Sequence, residues 1–293
     1  MTHHLFGAAT EQVHPAGLPE HLRRLNRTLV MGVINVTPDS FSDGGIYAET
    51  DLAIARGIEL VSQGADIVDI GGESTRPGAE RVSLDEEVAR TLPVVKALSA
   101  QGIAVSIDTM RAQVAQAAVE AGAAIINDVS GGKADSKMFD VVSQTEVPYV
   151  LMHWRGHSTQ MDALADYQDV TGDVCTELST QVTQATQLGI DRERLVLDPG
   201  IGFAKTGEQN WSLLSHLETM AELGRPLLVG ASRKKFLGEL LGVAGMPRPV
   251  DQRESATTAL TALLTVARVW AVRVHDVRAS RDAIEVVRRI QEA

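Results

Sequence analysis

The chain has 293 residues, of which 44% are hydrophobic and 22% are charged, a composition typical of a globular protein with a large core. Its formal net charge of -11 argues against a general nucleic-acid-binding protein, because such proteins bind by neutralising phosphates. The single cysteine, Cys175, excludes an intrachain disulfide and a multi-cysteine metal site. The sequence has no apolar run that could span a membrane and no signal-peptide pattern, so we expect a cytoplasmic protein without a membrane partner.

Short apolar strands alternate with helices along most of the chain. Residues 1–27 are predicted to form an N-terminal extension with a short helix near residues 19–25. The predicted strands are 28–35, 66–70, 104–108, 124–128, 148–152, 195–198, 227–230 and 271–275. The predicted helices are 51–63, 84–99, 111–121, 137–145, 168–188, 209–217, 234–241 with 254–268, and 280–292. Eight strands that alternate with helices predict an α/β fold, a single (β/α)8 TIM barrel over residues 28–293.

Polar residues or glycines follow all eight predicted strands. In barrels of this type the catalytic groups lie at the carboxyl ends of the strands. The second strand leads into residues 69–78 (DIGGESTRPG), where glycines allow the backbone to turn sharply and to approach a ligand closely. One polar residue at a strand end, such as Asn35, is more often a helix cap or turn former. A complete series of such strand ends favours an active site.

Two kinds of chemistry are predicted at these strand ends. Cationic and hydroxyl side chains near strands seven and eight suit a phosphate, namely Ser232, Arg233, Lys234, Arg273 and His275. Cations oppose the dipole at a helix N-terminus, so their presence there favours a bound anion, with a solvated helix start as the alternative. Acidic and amide side chains suit the N–H groups of a nitrogen-rich heterocycle, namely Asp108, Asn127 and Asp198.

A tight transition-metal site is not predicted, because no group of residues has the required spacing. His153, alone at the end of strand five, is interpreted as a structural residue. A hard cation that is held mainly by substrate phosphates needs few protein ligands, and Asn35 could supply one oxygen.

Five segments together resemble the dihydropteroate synthases. They are residues 31–45, 69–78, 198–205, 230–234 and 273–276. The resemblance implies a (β/α)8 barrel, usually a homodimer, and a transferase that acts on an alkyl group other than methyl. Its substrates would be 6-hydroxymethyl-7,8-dihydropterin diphosphate and 4-aminobenzoate, and its products 7,8-dihydropteroate and diphosphate. This reaction is a step of folate synthesis and a target of sulfonamides.

The matched motifs imply a role for each site residue. The pterin would be bound by Asp108, Asn127, Met152, Asp198, Phe203, Gly230 and Lys234. The diphosphate would be bound by Asn35, Thr75, Arg76, Arg273 and His275, with Asn35 also a ligand of Mg2+. The 4-aminobenzoate would be bordered by Phe41, Thr75, Arg76, Pro77 and Ser232. The catalytic residues would be Asp108, Asp198, Lys234, Arg273 and His275.

Two other functions remain alternatives. A pterin-binding methyltransferase would share the pterin acids, but it would need neither the diphosphate-binding cations nor residues 75–77. A catalytically silent paralogue would be expected to lack one of the implied site residues, and all of them are present in the sequence.

Overall fold

The fold was analysed in a computed structural model, which describes residues 11–36, 45–73, 82–156 and 161–293. Its strands are β1 (Leu29–Asn35), β2 (Ile67–Gly71), β3 (Val105–Asp108), β4 (Ile125–Asp128), β5 (Tyr149–Met152), β6 (Leu195–Asp198), β7 (Leu228–Val229) and β8 (Ala271–Val274). They pair in parallel in the order β6-β5-β4-β3-β2-β1-β8-β7. A parallel bridge between Leu197 and Leu227 joins the two ends of the sheet. The predicted (β/α)8 barrel is therefore confirmed.

Helices surround the strands. They are α1 (Glu20–Arg23), α2 (Gly45–Ser62), α3 (Leu84–Ser99), α4 (Ala112–Glu120), α5 (Met138–Ser143), α6 (Val170–Gln187), α7 (Gly207–Ser215), α8 (Leu217–Ala221), α9 (Lys235–Leu240), α10 (Glu254–Val266) and α11 (Val277–Gln291). Within the described residues, no helix combines the length and the apolar character required to cross a membrane.

Several helix boundaries differ from the sequence prediction, and three of the differences have a clear place in the structure. Helix α2 begins at Gly45 rather than at residue 51. Helix α7 begins earlier than residue 209, because Thr206 and Gln209 form a reciprocal capping box. The segment predicted as one helix up to residue 217 is divided at His216, whose φ of -127° and ψ of 37° interrupt the helical backbone.

The hydrophobic core has two layers. Apolar side chains on the outside of the barrel pack against the helices, as Val68 and Ile70 of β2 do with Leu98 of α3. A second cluster, which includes Ile125 and Val196, extends to the N-terminal segment and includes the buried side chains of Leu18, Leu22 and Trp270. Part of the predicted N-terminal extension therefore packs against the barrel.

The register of the strands brings the candidate site residues together. Asn35 pairs with Gly71, and Gly71 pairs with Asp108 on the next strand. Asp108 in turn pairs with Asn127. Because each strand runs in the same direction, these polar strand ends form one continuous rim around the barrel mouth.

Candidate active site

A cavity of about 1040 Å³ lies at the carboxyl ends of the strands. It is lined by most of the predicted site residues, namely Asn35, Asn127, Met152, Asp198, Phe203, Gly230, Ser232, Lys234, Arg273 and His275. Asp108 is buried and does not line the cavity, but it contacts Arg273, which does. The predicted residues Phe41, Thr75, Arg76 and Pro77 lie outside the described residues.

Arg273 is bound by two carboxylates in the barrel mouth. Its Nε donates to Asp69 Oδ2 at 2.6 Å, and its Nη2 donates to Asp108 Oδ2 at 2.7 Å. Asn127 Nδ2 donates to the same Asp69 oxygen at 3.1 Å. Burial lowers the pKa of the Arg273 guanidinium, but Asp69 and Asp108 outweigh it and raise that pKa above its usual value. Arg273 is therefore a fixed cation that joins the acidic half of the site to the phosphate half.

Two acids of the site have raised pKa values. Burial raises the pKa of Asp108 to about 7, against the opposing effect of Arg273. Burial also raises the pKa of Asp198 to about 6, although its Oδ1 accepts a hydrogen bond from the backbone N–H of Gly200 at 2.7 Å. Both carboxylates therefore lack solvation, and a cationic group in the cavity would be stabilised by them.

Lys234 projects into the same cavity from the start of α9. Its Nζ lies 4.1 Å from the centroid of the Phe203 ring, a cation–π contact. Burial lowers the pKa of Lys234 to about 8, with Arg273 as the second cause. The neighbouring Arg233 has a φ of +59°, and its guanidinium pairs with Glu254. Both residues line the cavity, but the guanidinium of Arg233 is paired with Glu254, whereas the ammonium of Lys234 contacts the ring of Phe203.

His275 and Ser232 form a second polar pair on the rim. Ser232 Oγ lies 2.9 Å from His275 Nδ1, and the backbone N–H of His275 donates to the same hydroxyl oxygen. The hydroxyl hydrogen can therefore be donated to Nδ1, which sets the orientation of the imidazole ring. His275 follows directly after β8, one residue beyond the observed end of a strand that was predicted to include it.

The residues around Asn35 fit a hard cation better than a transition metal. A side chain at position 71 would begin 3.8 Å from Asn35 Oδ1 and 3.6 Å from Asp108 Oδ2, so Gly71 keeps the space between these two oxygens open. Among the described residues, no cluster of His, Cys, Asp and Glu could form a complete metal cage. One amide oxygen beside an anionic ligand is the donor set of a magnesium site that substrate phosphates complete.

Two residues of this site were not singled out from the sequence. Asp69 was read as part of a strand and loop, but its fully buried carboxylate binds both Asn127 and Arg273. A charged residue within an otherwise apolar strand is a signal that could have identified it. Lys205 closes the motif 198–205, and only the folded backbone shows which groups its ammonium contacts.

The comparison with known families agrees with this geometry. A family model for pterin-binding enzymes matches residues 31–275. The chain belongs to the pterin-binding enzyme family. The predicted resemblance is therefore confirmed at the level of the family, and the matched segment spans all the candidate site residues.

Within the pterin-binding enzymes, the chain is most clearly similar to dihydropteroate synthases. It is 54% identical over 260 residues to the dihydropteroate synthase of Mycobacterium leprae, which covers 88% of this chain and 92% of that protein. The Xanthomonas albilineans enzyme with 4-aminobenzoic acid superimposes with a TM-score of 0.84 at 42% identity, over 92% of this chain and 94% of that one. The same enzyme with 7,8-dihydropteroate gives a TM-score of 0.81 at 40% identity, over 92% and 95% of the two chains.

Proposed function

We propose that this protein is a dihydropteroate synthase. It condenses 6-hydroxymethyl-7,8-dihydropterin diphosphate with 4-aminobenzoate and releases 7,8-dihydropteroate and diphosphate. The observation that carries this proposal is that one cavity is lined by two groups of residues. Asn127 and Asp198 form the first group, and Arg273, His275 and Lys234 form the second. Amide and carboxylate groups suit a pterin edge, and the cations suit its diphosphate.

The reaction replaces a C–O bond by a C–N bond. The bond between the methylene carbon of the pterin and the bridging oxygen breaks, and its electron pair leaves with the diphosphate. The aniline nitrogen then bonds to that carbon and loses a proton. If cleavage precedes attack, the pterin carries a positive charge, and the poorly solvated carboxylates of Asp108 and Asp198 stabilise it.

The leaving diphosphate is held at the other side of the cavity. Arg273 and His275 bind it there, with the imidazole oriented by Ser232. Asn35 would supply one oxygen ligand to Mg2+, and the bound ion would neutralise part of the charge that develops on the diphosphate. Arg273 also donates to Asp69 and Asp108. The guanidinium that would bind the leaving diphosphate is therefore held in place by carboxylates on the pterin side of the site.

The assembly and location are also part of the proposal. We infer a homodimer from the family resemblance, supported by exposed apolar side chains such as Leu240 and Leu263 on α9 and α10, which are 63% and 65% exposed. The cytoplasm is the proposed compartment, since the chain's only cysteine cannot form an intrachain disulfide. Sedimentation of the purified protein would measure the subunit number.

The proposed function can be tested by following both products in one assay. The purified protein is mixed with pterin diphosphate and Mg2+, with and without 4-aminobenzoate, and diphosphate and dihydropteroate are quantified. We expect equal amounts of the two products when both substrates are present, a strong decrease after chelation of Mg2+, and inhibition by a sulfonamide.

The same assay separates the alternatives. Tight pterin binding without product would contradict the synthase and indicate a silent paralogue. Failure to bind pterin diphosphate, combined with binding of a reduced folate, would instead indicate a pterin-binding methyltransferase.

A further inference from the structure

The turn that follows β6 has an unusual backbone. Gly200, Gly202 and Ala204 all have positive φ values, of 67°, 76° and 48°. The left-handed conformation is unfavourable for a residue with a side chain, so Ala204 is held there by its surroundings. Residues 201–206 of this turn line the candidate active site. The shape of the cavity therefore depends on contacts that maintain a strained segment.

One end of the turn is held by buried side chains of the barrel and of α7. Asp198 Oδ1 accepts from the backbone N–H of Gly200, and Asn210 Oδ1 accepts from the backbone N–H of Gly202, both at 2.7 Å. Asn210 Nδ2 donates to the backbone carbonyl of Thr206 at 2.7 Å. The carbonyl of Gly200 accepts from the backbone N–H of Phe203 at 3.0 Å, which closes the turn at its start. The carbonyls of Gly200 and Phe203 both accept from one further partner.

Lys205 is that partner. Its Nζ donates to the carbonyl oxygen of Gly200 at 3.1 Å, to that of Phe203 at 3.0 Å, and lies 3.0 Å from His153 Nδ1. An ammonium group has three N–H donors and no acceptor, so three acceptors at these distances match the charged form. Burial lowers the pKa of Lys205 to about 7, so the side chain carries this charge below that pH. The side chain thus folds back over its own turn and closes it.

His153 and Glu177 complete the arrangement. Burial lowers the pKa of His153 to about 4, which leaves the ring neutral at physiological pH. Since Nδ1 accepts from Lys205, the ring proton is on Nε2, which donates to Glu177 Oε2 at 3.0 Å. The bond from His153 is the main cause that lowers the pKa of Glu177 to about 2, and Arg155 also pairs with this carboxylate. A permanent negative charge therefore lies behind the ring that contacts Lys205.

We propose that Lys205 is a positioning residue of the pterin site, which fixes the turn after β6 through the carbonyls of Gly200 and Phe203 and is itself oriented by His153 and Glu177. This inference rests on the proposed function, because the turn is assigned to the pterin side of the cavity. Phe203 carries the consequence: its backbone is bound by Lys205, and its ring contacts the ammonium of Lys234. Loss of the Lys205 bonds displaces the ring and the cation together.

The test compares ligand affinities of two methionine variants. Lys205→Met keeps an unbranched side chain that replaces the apolar stem of the lysine, and it removes all three donors. We expect its Kd for pterin diphosphate to rise about 10- to 100-fold, the effect of losing hydrogen bonds from a charged donor. The KM for 4-aminobenzoate should stay within a factor of about two. A general loss of structure would instead raise both the Kd for pterin diphosphate and the KM for 4-aminobenzoate.

Arg194→Met is the matched control. Arg194 is buried and also donates to backbone carbonyls, those of Val142 and Val147, but it precedes β6 and so lies at the opposite end of that strand from the turn. Its Kd for pterin diphosphate should equal that of the wild type. Glu177→Gln provides a second test that does not depend on the folding of Lys205→Met. The substitution keeps an acceptor for His153 and removes the negative charge. We expect it to weaken pterin binding several-fold.

The outcomes distinguish this inference from the proposed function. If the wild type does not bind pterin diphosphate, the proposed function is wrong. If the wild type binds it and folded Lys205→Met binds it equally well, only the role of Lys205 is overturned. Should Lys205→Met fail to fold, unchanged pterin affinity in Glu177→Gln would overturn it, and a several-fold loss confined to the pterin would support it.

Discussion

Asp69 holds the two halves of the active site at a fixed distance. One of its oxygens, Oδ2, accepts from both Arg273 and Asn127, and the carboxylate is fully buried. Its other oxygen, Oδ1, has no hydrogen-bond partner among the described residues. A buried carboxylate with an unpaired oxygen is costly, and the cost is offset here by the ion pair with Arg273 and the hydrogen bond from Asn127.

Replacing Asp69 by Asn should therefore affect both stability and catalysis. We expect the free energy of unfolding to fall by about 1–3 kcal/mol, because Arg273 loses a charged acceptor. The kcat/KM for pterin diphosphate should fall at least about 10-fold, since a neutral amide oxygen holds Arg273 and Asn127 less strongly than a carboxylate. Urea denaturation and steady-state kinetics would measure the two effects.

Asp66→Asn is the control for this variant. Asp66 also pairs with two arginines, Arg27 and Arg281, but it precedes β2 at the opposite end of that strand. This variant should lose stability and keep its kcat/KM. Equal kinetic defects in the two variants would show that Asp69 has no specific role.

The pH dependence of the enzyme should follow four buried groups, because the pKa of Lys205, which fixes the turn after β6, is also lowered, to about 7. The pKa values of Asp198 and Asp108 are raised to about 6 and 7, so kcat/KM should increase as the pH rises through this range and the carboxylates become charged. The pKa of Lys234 is lowered to about 8, so kcat/KM should decrease at higher pH, as the ammonium loses its proton. The ascending and descending limbs together give a bell-shaped profile. Its pKa values are those of the free enzyme, because kcat/KM reports the groups of the free enzyme.

Asp108→Asn checks the assignment of the acid side. It should lower kcat at all pH values and leave an ascending limb that reflects Asp198 alone. An unchanged turnover with normal substrate binding would contradict the proposed charge role of Asp108.

At the scale of elements, α3 and α4 secure both ends of the connection after β2. Arg111, which precedes α4, pairs with Glu73 at 3.1 Å and donates to the carbonyl of Val82. It also pairs with Glu87 of α3, a buried carboxylate that accepts from Thr109 Oγ1 at 2.6 Å. One guanidinium therefore joins residues on both sides of 74–81, the stretch that contains three of the proposed 4-aminobenzoate residues, Thr75, Arg76 and Pro77.

The Arg111→Met variant should mainly affect the second substrate. We expect the KM for 4-aminobenzoate to rise about 10-fold, as charged hydrogen bonds at both ends of the connection are lost, with little change in the Kd for pterin diphosphate. Arg194→Met is a suitable control, because Arg194 also donates to backbone carbonyls. Its acceptors, Val142 and Val147, both precede β5 and lie outside the connection after β2. Equal KM values in wild type and Arg111→Met would contradict this role.

The elements were predictable from the sequence because their patterns are local. Apolar runs and the polar residues that end them place each strand within a few residues of its observed position, and eight parallel strands leave few arrangements. The contacts inside the site were less predictable. The shared oxygen of Asp69 depends on the register of three strands, and the contacts of Lys205 depend on the left-handed backbone at Ala204. Neither follows from residue spacing.

At the scale of the whole molecule, the cationic residues of the site contrast with the negative net charge of the protein. The net charge of -11 would repel an anionic substrate, so the attraction must come from the local cations Lys234 and Arg273 in a poorly solvated cavity. Apolar packing of Leu18 and Leu22 and the ion pairs of Asp66 support the barrel elsewhere. Function and stability are thus carried largely by different parts of the fold.

The central claim is that the pterin lies against the acids inside the barrel mouth and the diphosphate against the cations on its rim. The most direct test is a calorimetric titration of two ligands in the presence of Mg2+: the pterin diphosphate and the corresponding hydroxymethyl pterin, which lacks phosphate. We predict that Asp198→Asn raises the Kd of both ligands by a similar factor, about 10-fold or more. His275→Gln should raise only the Kd of the pterin diphosphate. The claim would be contradicted if His275→Gln weakened both ligands equally, or if Asp198→Asn left the hydroxymethyl pterin unaffected.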